Sequence, residues 1–245
     1  MHFRRTLIPI IAVVIALVVG TTASFVVPPL LVGGTPSSCN GGPYDAKVTL
    51  IGQDQLGKQL YNLIYYTKND KQEDGLYYAF TSNALSWIKN NTSSNATFLN
   101  WWDYGKEIIG CTGRSSVISN PSAQLIAMKF DQNVTERDSN QSLVDVATAL
   151  FTTNASLTKS IVTKYGANYI FITTEDGGTK APYILQLLGL NPADYLTPSG
   201  TTFESRDWTS LGQQTMIYRL LSGQSVSGFN LVYSDTYVKI FGVSQ

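Results

Sequence analysis

Histidine is nearly absent from this chain. His2 is the only one in 245 residues, and it lies in the N-terminal tail. No Ser-His-Asp or Cys-His constellation can therefore form in the folded body. Histidine zinc sites and histidine proton shuttles are excluded with it. Charge is scarce too: 14% of residues are charged, with 17 basic against 17 acidic. Setting aside Arg4 and Arg5 leaves 15 basic residues. A neutral body without a basic stripe argues against nucleic acid as a partner. The sequence has no CxxC, no glycine-rich phosphate loop of standard spacing and no internal repeat. Its two cysteines, Cys39 and Cys111, either pair in an oxidising compartment or stay as buried thiols. Any chemistry must run on carboxylates, hydroxyls, aromatics, Lys, Arg or backbone.

Hydrophobic residues are plentiful, at 43%. The length suits one domain plus a small extra element. The N-terminus has Arg4 and Arg5 ahead of an apolar run from Leu7 to Gly20, and a second run from Phe25 to Leu31. Two readings compete: a secretory signal with small residues near Ala23, and a transmembrane helix with its arginines on the cytoplasmic side. The run that resumes at Phe25 favours the helix, so residues 1–32 are expected to span a membrane. Both readings place the rest outside the cytoplasm. The pattern Asn-X-Ser/Thr recurs at Asn90, Asn91, Asn95, Asn133, Asn140 and Asn154. It marks N-glycosylation acceptors on an exported surface, or simply a polar surface rich in Ser, Thr and Asn.

Residues 33–43 read as a Gly/Pro/Ser linker. Residues 44–245 then form an extracytoplasmic α/β domain with a central sheet covered by helices, since helical and strand-like stretches alternate throughout. Strands are expected at 46–51, 96–100, 115–118, 168–174, 229–233 and 236–243. Helices are expected at 53–66, 81–90, 121–130, 141–151, 156–165, 181–188 and 208–222. The acid pairs Glu73/Asp74 and Glu175/Asp176 read as solvated charge in turns.

One stretch stands apart: FLNWWDYGK, residues 98–106. Two of the chain's four tryptophans sit side by side next to an acid. Two indole N–H donors and one carboxylate acceptor suit a small hydroxyl, which both donates and accepts. Gly105 permits a tight backbone path. The plainer alternative is a core Trp pair, with Asp103 capping a helix that starts at Tyr104.

WWDYG resembles the hallmark motif of the catalytic subunit of oligosaccharyltransferase, and the archaeal members most of all. The upstream TSNALSWIKNNTSSNATFLN and the downstream GRSSVISNPS resemble the family's lead into and out of that motif. The resemblance implies that Trp101, Trp102 and Asp103 bind the hydroxyl of the Ser/Thr two positions after the acceptor Asn, with Tyr104 and Gly105 shaping the loop. A second family motif, D-x-x-K-x-x-x-M, places an apolar residue on the Thr methyl. Met216 is its counterpart by this reading, although Thr209 and Gly212 stand where the Asp and Lys would be. The family transfers a lipid-linked oligosaccharide to Asn in Asn-X-Ser/Thr. It does so with Mn²⁺ or Mg²⁺ held by acidic residues on a multi-span part that has no counterpart in this sequence. The resemblance thus implies the C-terminal part of a membrane oligosaccharyltransferase, inactive alone, with acceptor polypeptide and lipid-linked oligosaccharide as partners. An anchored peptide- or glycan-binding protein and a structural envelope glycoprotein are the alternatives without catalysis.

Overall fold

A computed structural model describes Cys39 and residues 44–53, 59–123, 125–126 and 140–244. The expected membrane span at 1–32, most of the linker and part of the helix at 121–130 lie outside these residues. Among the described residues no helix is long and apolar enough to cross a membrane.

The α/β expectation holds, but two sheets are present where one was expected. The first is antiparallel, in the order β1 (Lys47–Gln53), β2 (Gln59–Tyr66), β3 (Gln72–Tyr78). The second has five strands in the order β5 (Ser115–Ser116), β4 (Thr97–Leu99), β6 (Tyr169–Thr173), β8 (Val238–Val243), β7 (Phe229–Ser234). Strand β4 runs parallel to β5 and β6, whereas β8 is antiparallel to both β6 and β7.

Strand β2 corrects the helix expected at 53–66. Leu60, Leu63 and Ile64 do fall at helical spacing, but a short window fits two periods. The residues that enter the core are Leu63 and Tyr65, two apart as in a strand. The Tyr- and Ile-rich composition agrees with that pairing. The helix expected at 208–222 is also shortened. Trp208 bridges to Leu196, and Gly212 comes so close to the loop that an added Cβ would lie 2.1 Å from the Tyr195 carbonyl. Thr215 is extended. Only Met216–Leu221 is α-helical.

The helices expected at 81–90, 141–151, 156–165 and 181–188 lie close to their expected places, and two short helices outside the expected set, Trp102–Glu107 and Thr174–Gly177, are added. Ser82–Asn91 forms α1, and Trp102–Glu107 forms α2, which continues as a π-turn over Ile108–Thr112. Helix α3 (Gln141–Phe151) starts at Asn140, whose side chain accepts the Leu143 N–H. Helix α4 (Ala155–Lys164) starts at Asn154, which accepts from Ser156 and Leu157. These are the orphan donors that an Asn N-cap satisfies. Gly166, at φ 60°, turns the chain out of α4. The short α5 (Thr174–Gly177), α6 (Ala181–Leu187) and α7 (Met216–Leu221) follow. Strand β6 is buried from Ile170 to Thr173, as expected for a strand covered on both faces.

Helix α2 and its π-turn join the two sheets. Gly75 of β3 leaves room for the Lys106 stem, since a Cβ there would lie 2.7 Å from Lys106 Cβ. Lys106 forms an ion pair with Glu73, so Glu73 is not free solvated charge. Gly110 lies against the Tyr65 ring. Cys111, fully buried in the π-turn, is bonded to Cys39 across 72 residues of sequence. That bond resolves the open question of the two cysteines in favour of pairing. Closing so long a loop restricts the unfolded chain, which is worth about 4 kcal/mol in the chain-entropy picture. Replacing both cysteines by Ser should therefore lower stability by roughly 2–4 kcal/mol. A urea denaturation series reads this directly, and adding reductant to the native protein should reproduce the shift.

Candidate functional site

Parallel strands β4 and β6 end at the same edge of the five-stranded sheet, and each runs straight into a helix. In open α/β sheets this edge, beyond the carboxyl ends of the strands, is where ligands bind. Here β4 delivers the WWDYG stretch into α2, and β6 delivers Thr-Thr-Glu-Asp into α5.

The crossing from β4 is tightly held. Asn100 is fully buried, and its Nδ2 donates to the carbonyls of Trp101 (2.8 Å) and Ile118 (3.2 Å). Its Oδ1 accepts from the Ser116 hydroxyl at 2.8 Å. Gly105 is required by the same contact: a Cβ there would lie 2.2 Å from the Ile118 carbonyl oxygen. The glycine of the motif is thus a close-approach residue.

The two tryptophans separate. Trp101 is the extended N-cap of α2 and is 2% exposed, whereas Trp102 is half-buried. The helix starts at Trp102, not Tyr104, and Asp103 makes no capping bond. Instead its carboxylate joins a cluster. Lys180 Nζ lies 2.9 Å from Asp103 Oδ2 and 3.6 Å from Glu175 Oε2. The Tyr78 hydroxyl donates a long 3.4 Å bond to Asp103 Oδ1. Lys180 also donates to the Tyr104 hydroxyl at 2.6 Å and sits 4.1 Å from the centre of that ring. Tyr104 therefore does more than shape the loop. Its hydroxyl shares a 2.8 Å hydrogen bond with Thr173, which closes the gap between α2 and α5.

Thr173 and Asp176 form a capping box on α5. Asp176 Oδ2 accepts the Thr173 N–H at 2.9 Å, and Thr173 Oγ1 accepts the Asp176 N–H at 3.2 Å. This corrects the reading of Glu175 and Asp176 as solvated charge: they are 7% and 0% exposed. The T-x-x-D spacing directly after a buried strand was the available signal. Lys180 and Tyr78 carried none, because their importance lies only in what they touch.

Electrostatics follow from burial. Burial opposes the Lys180 charge, but Asp103, Asp176 and Glu175 outweigh it and hold its pKa above the ordinary lysine value. Burial pushes Asp176 up to about 7, against the pull of Lys180 and the Thr173 N–H. Glu107 on α2 is raised well above the usual carboxylate range by burial, although its Oε2 accepts the Tyr78 N–H at 3.0 Å. Glu107 Oε1 and Asp176 Oδ1 have no hydrogen-bond partner. A neutral acid tolerates that better than a carboxylate.

Met216 lies on α7, which packs against α5 and β6. It is fully buried at the first position of α7, and its N–H donates to the Thr152 carbonyl at 2.9 Å. An Asp and a Lys do precede an apolar residue at the site itself, as Asp176, Lys180 and Ile184. That spacing is one residue longer between Asp and Lys than D-x-x-K-x-x-x-M, and Ile184 is likewise buried. Among the described residues no group of three His, Cys, Asp or Glu side chains is placed to hold a metal ion. Asp103, Glu175 and Asp176 do gather, but around the Lys180 ammonium, which occupies the place a cation would need. The residues present do not fit a metal.

Comparison with solved structures returns oligosaccharyltransferases. The chain is similar to the C-terminal globular domain of an Archaeoglobus fulgidus oligosaccharyltransferase at TM-score 0.47 and 21% identity, covering 66% of this chain and 95% of that one. It is similar to the oligosaccharyltransferase AglB of the same organism, in complex with an inhibitory peptide and a dolichol-phosphate, at TM-score 0.45 and 18% identity, covering 62% of this chain and 22% of that one. A third likeness is to an Archaeoglobus fulgidus oligosaccharyltransferase tethered with an acceptor peptide containing the NVT sequon, at TM-score 0.41 and 18% identity, covering 59% and 19%. The chain spans only those fractions of the last two proteins. No known family profile and no curated protein matches it.

The buried Asp176 makes stability depend on pH. Its carboxyl titrates near 4 in an unfolded chain and at about 7 in the fold. Between those values the folded protein keeps a proton that the unfolded chain has lost. The contribution is fully present below pH ~4 and declines as pH rises through about 7. Asp176→Asn keeps an oxygen for the Thr173 N–H but does not titrate. Relative to wild type it should gain ~3–4 kcal/mol between pH 4 and 8, read from urea midpoints. A constant difference across that range would remove Asp176 as the titrating group.

Proposed function

We propose that this chain is the acceptor-recognising C-terminal domain of an archaeal-type oligosaccharyltransferase catalytic subunit. In this reading the complete enzyme transfers a lipid-linked oligosaccharide to the amide nitrogen of Asn in Asn-X-Ser/Thr, and this domain binds the Ser/Thr hydroxyl. One observation carries the reading: Asp103, at the ligand-binding edge of the sheet, is held by Lys180 while its side chain keeps 10% of its surface exposed. A carboxylate so placed is fixed in direction yet still has lone pairs for an incoming hydroxyl. Pre-orientation of this kind lowers the ordering cost of binding.

The roles divide by burial. Asp103 accepts a hydrogen bond from the hydroxyl. Half-buried Trp102 forms the open wall, and buried Trp101 backs it from the core. Tyr104 holds Lys180, and Gly105 sets the backbone path. The residue that packs on the Thr methyl was placed at Met216 from sequence. The cluster favours Ile184, because it follows Lys180 by four residues on α6. Positioning of the acceptor is this domain's contribution to the rate. Departure of the lipid phosphate is assigned to a multi-span membrane part bearing Mn²⁺ or Mg²⁺, so the domain alone is not expected to turn over. The paired cysteines and the exposed Asn90, Asn91, Asn95 and Asn154 support an extracytoplasmic location.

Asp103→Ala should weaken binding of an Asn-X-Thr peptide by roughly 1–3 kcal/mol, since the hydroxyl loses its acceptor. Binding of a control peptide with Ala in place of Thr should barely change. Titration calorimetry on both peptides checks this, and an equal loss on the two would sink the role given to Asp103.

A further inference from the structure

The hairpin between β7 and β8 reaches the same edge of the sheet as WWDYG, because Val238 pairs with Thr173, the last residue of β6. Its Tyr237 is fixed through the backbone. The Tyr237 carbonyl accepts the Thr174 N–H at 2.8 Å, and its N–H donates to Asp235 Oδ1 at 2.8 Å. The residue nevertheless stays 37% exposed. Its ring lies 5.5 Å from that of Phe80, a half-buried residue in the turn after β3. Phe80 in turn lies 5.5 Å from Tyr78 and 6.3 Å from Tyr104. Tyr78 is the residue whose hydroxyl reaches Asp103. A chain of ring contacts thus runs from buried Tyr78, beside the carboxylate, through half-buried Phe80 to the exposed Tyr237 ring.

We propose that Phe80 and Tyr237 form a subsite for a neutral aromatic or large apolar side chain of the acceptor peptide, so that this domain reads sequence beside the Ser/Thr as well as its hydroxyl. The inference rests on the acceptor reading above and adds a second determinant to it. An exposed ring backed by another ring gains most from burial against a flat apolar side chain. Lys180 already lies 5.1 Å and 4.1 Å from the centres of the Tyr78 and Tyr104 rings, so those two rings are occupied and Phe80 and Tyr237 are the ones left for the peptide. The span bounds the register. Two successive ring spacings of 5.5 Å set an upper limit on the distance from Tyr78 to Tyr237, equivalent to roughly three residues of extended peptide. The favoured side chain therefore falls within about three positions of the Ser/Thr.

The test uses the full 245-residue chain and fluorescein-labelled peptides with Asn-Ala-Thr in an alanine background. Phe is scanned through the three positions on either side of the Thr, sparing the Asn, and affinity is read by anisotropy. In wild type, Phe at one position should tighten binding about three- to tenfold. Tyr237→Ala should abolish the Phe gain while keeping the preference for Thr over Ala in the motif, and Tyr237→Trp should retain it. If Tyr237→Ala melts earlier than wild type, loss of the Phe gain counts only when Tyr237→Leu, read in the same way, shows a reduced gain at an unchanged melting temperature. A Phe gain undiminished in Tyr237→Ala, or no Phe gain at any position, overturns the subsite and leaves the acceptor reading standing. A Tyr237-dependent Phe gain without any preference for Thr overturns the acceptor reading and leaves the subsite. Absence of binding to every peptide overturns both.

Discussion

The contact of the Lys180 ammonium with the Asp103 carboxylate is the joint on which the site depends. Each residue begins on a different strand of the sheet: Asp103 follows β4, and Lys180 follows β6 and α5. A buried charge of either sign is costly alone, and removing one partner leaves the other uncompensated. The pair is therefore a geometric constraint as much as an attraction. It fixes how α2 and α5 approach, and the Tyr104–Thr173 hydroxyl bond reinforces that approach from below.

Around this joint the protein spends several side chains on orientation. Asn100 ties the β4 exit to Ile118, and Gly105 lets that backbone pass at close range. Thr173 and Asp176 close the first turn of α5. Glu107 braces β3 through the Tyr78 N–H. Two of these carboxyl groups keep an oxygen without a partner, which raises their affinity for protons and so reduces the net negative charge facing Lys180. The result is one ionised pair at the rim, above acids that burial favours in neutral form. Such a rim suits a neutral hydroxyl better than a charged ligand, because a hydroxyl does not disturb the balance of charge below it.

Much of the fold was legible. Strand β6 announced itself by a run of β-branched and aromatic residues, and α4 by its periodic apolar face and the glycine that ends it. WWDYG stood out as a candidate site because paired indoles next to an acid are rare and the stretch resembles a known motif. Other readings failed, three of them for instructive reasons. Residues 59–66 satisfy both the helical and the strand period, and pairing with β1 and β3 decided between them. Residues 208–215 hold a helical pattern, but Gly212 is pressed against the Tyr195 backbone, which a helix does not permit. Glu175 and Asp176 looked like surface charge because a sequence does not show which turns are covered.

Local patterning by itself determined the order of most helices and strands and the α/β class, since those depend on periodicity, caps and composition over a few residues. Only the tertiary structure decided that Trp101 is withdrawn while Trp102 stays at the rim, that Cys39 and Cys111 meet, and that Lys180 serves Asp103 from 77 residues away. Those outcomes depend on which strands become neighbours. Parallel pairing of β4 with β6 brings their ends together, and no spacing within the chain encodes the contacts that follow from it.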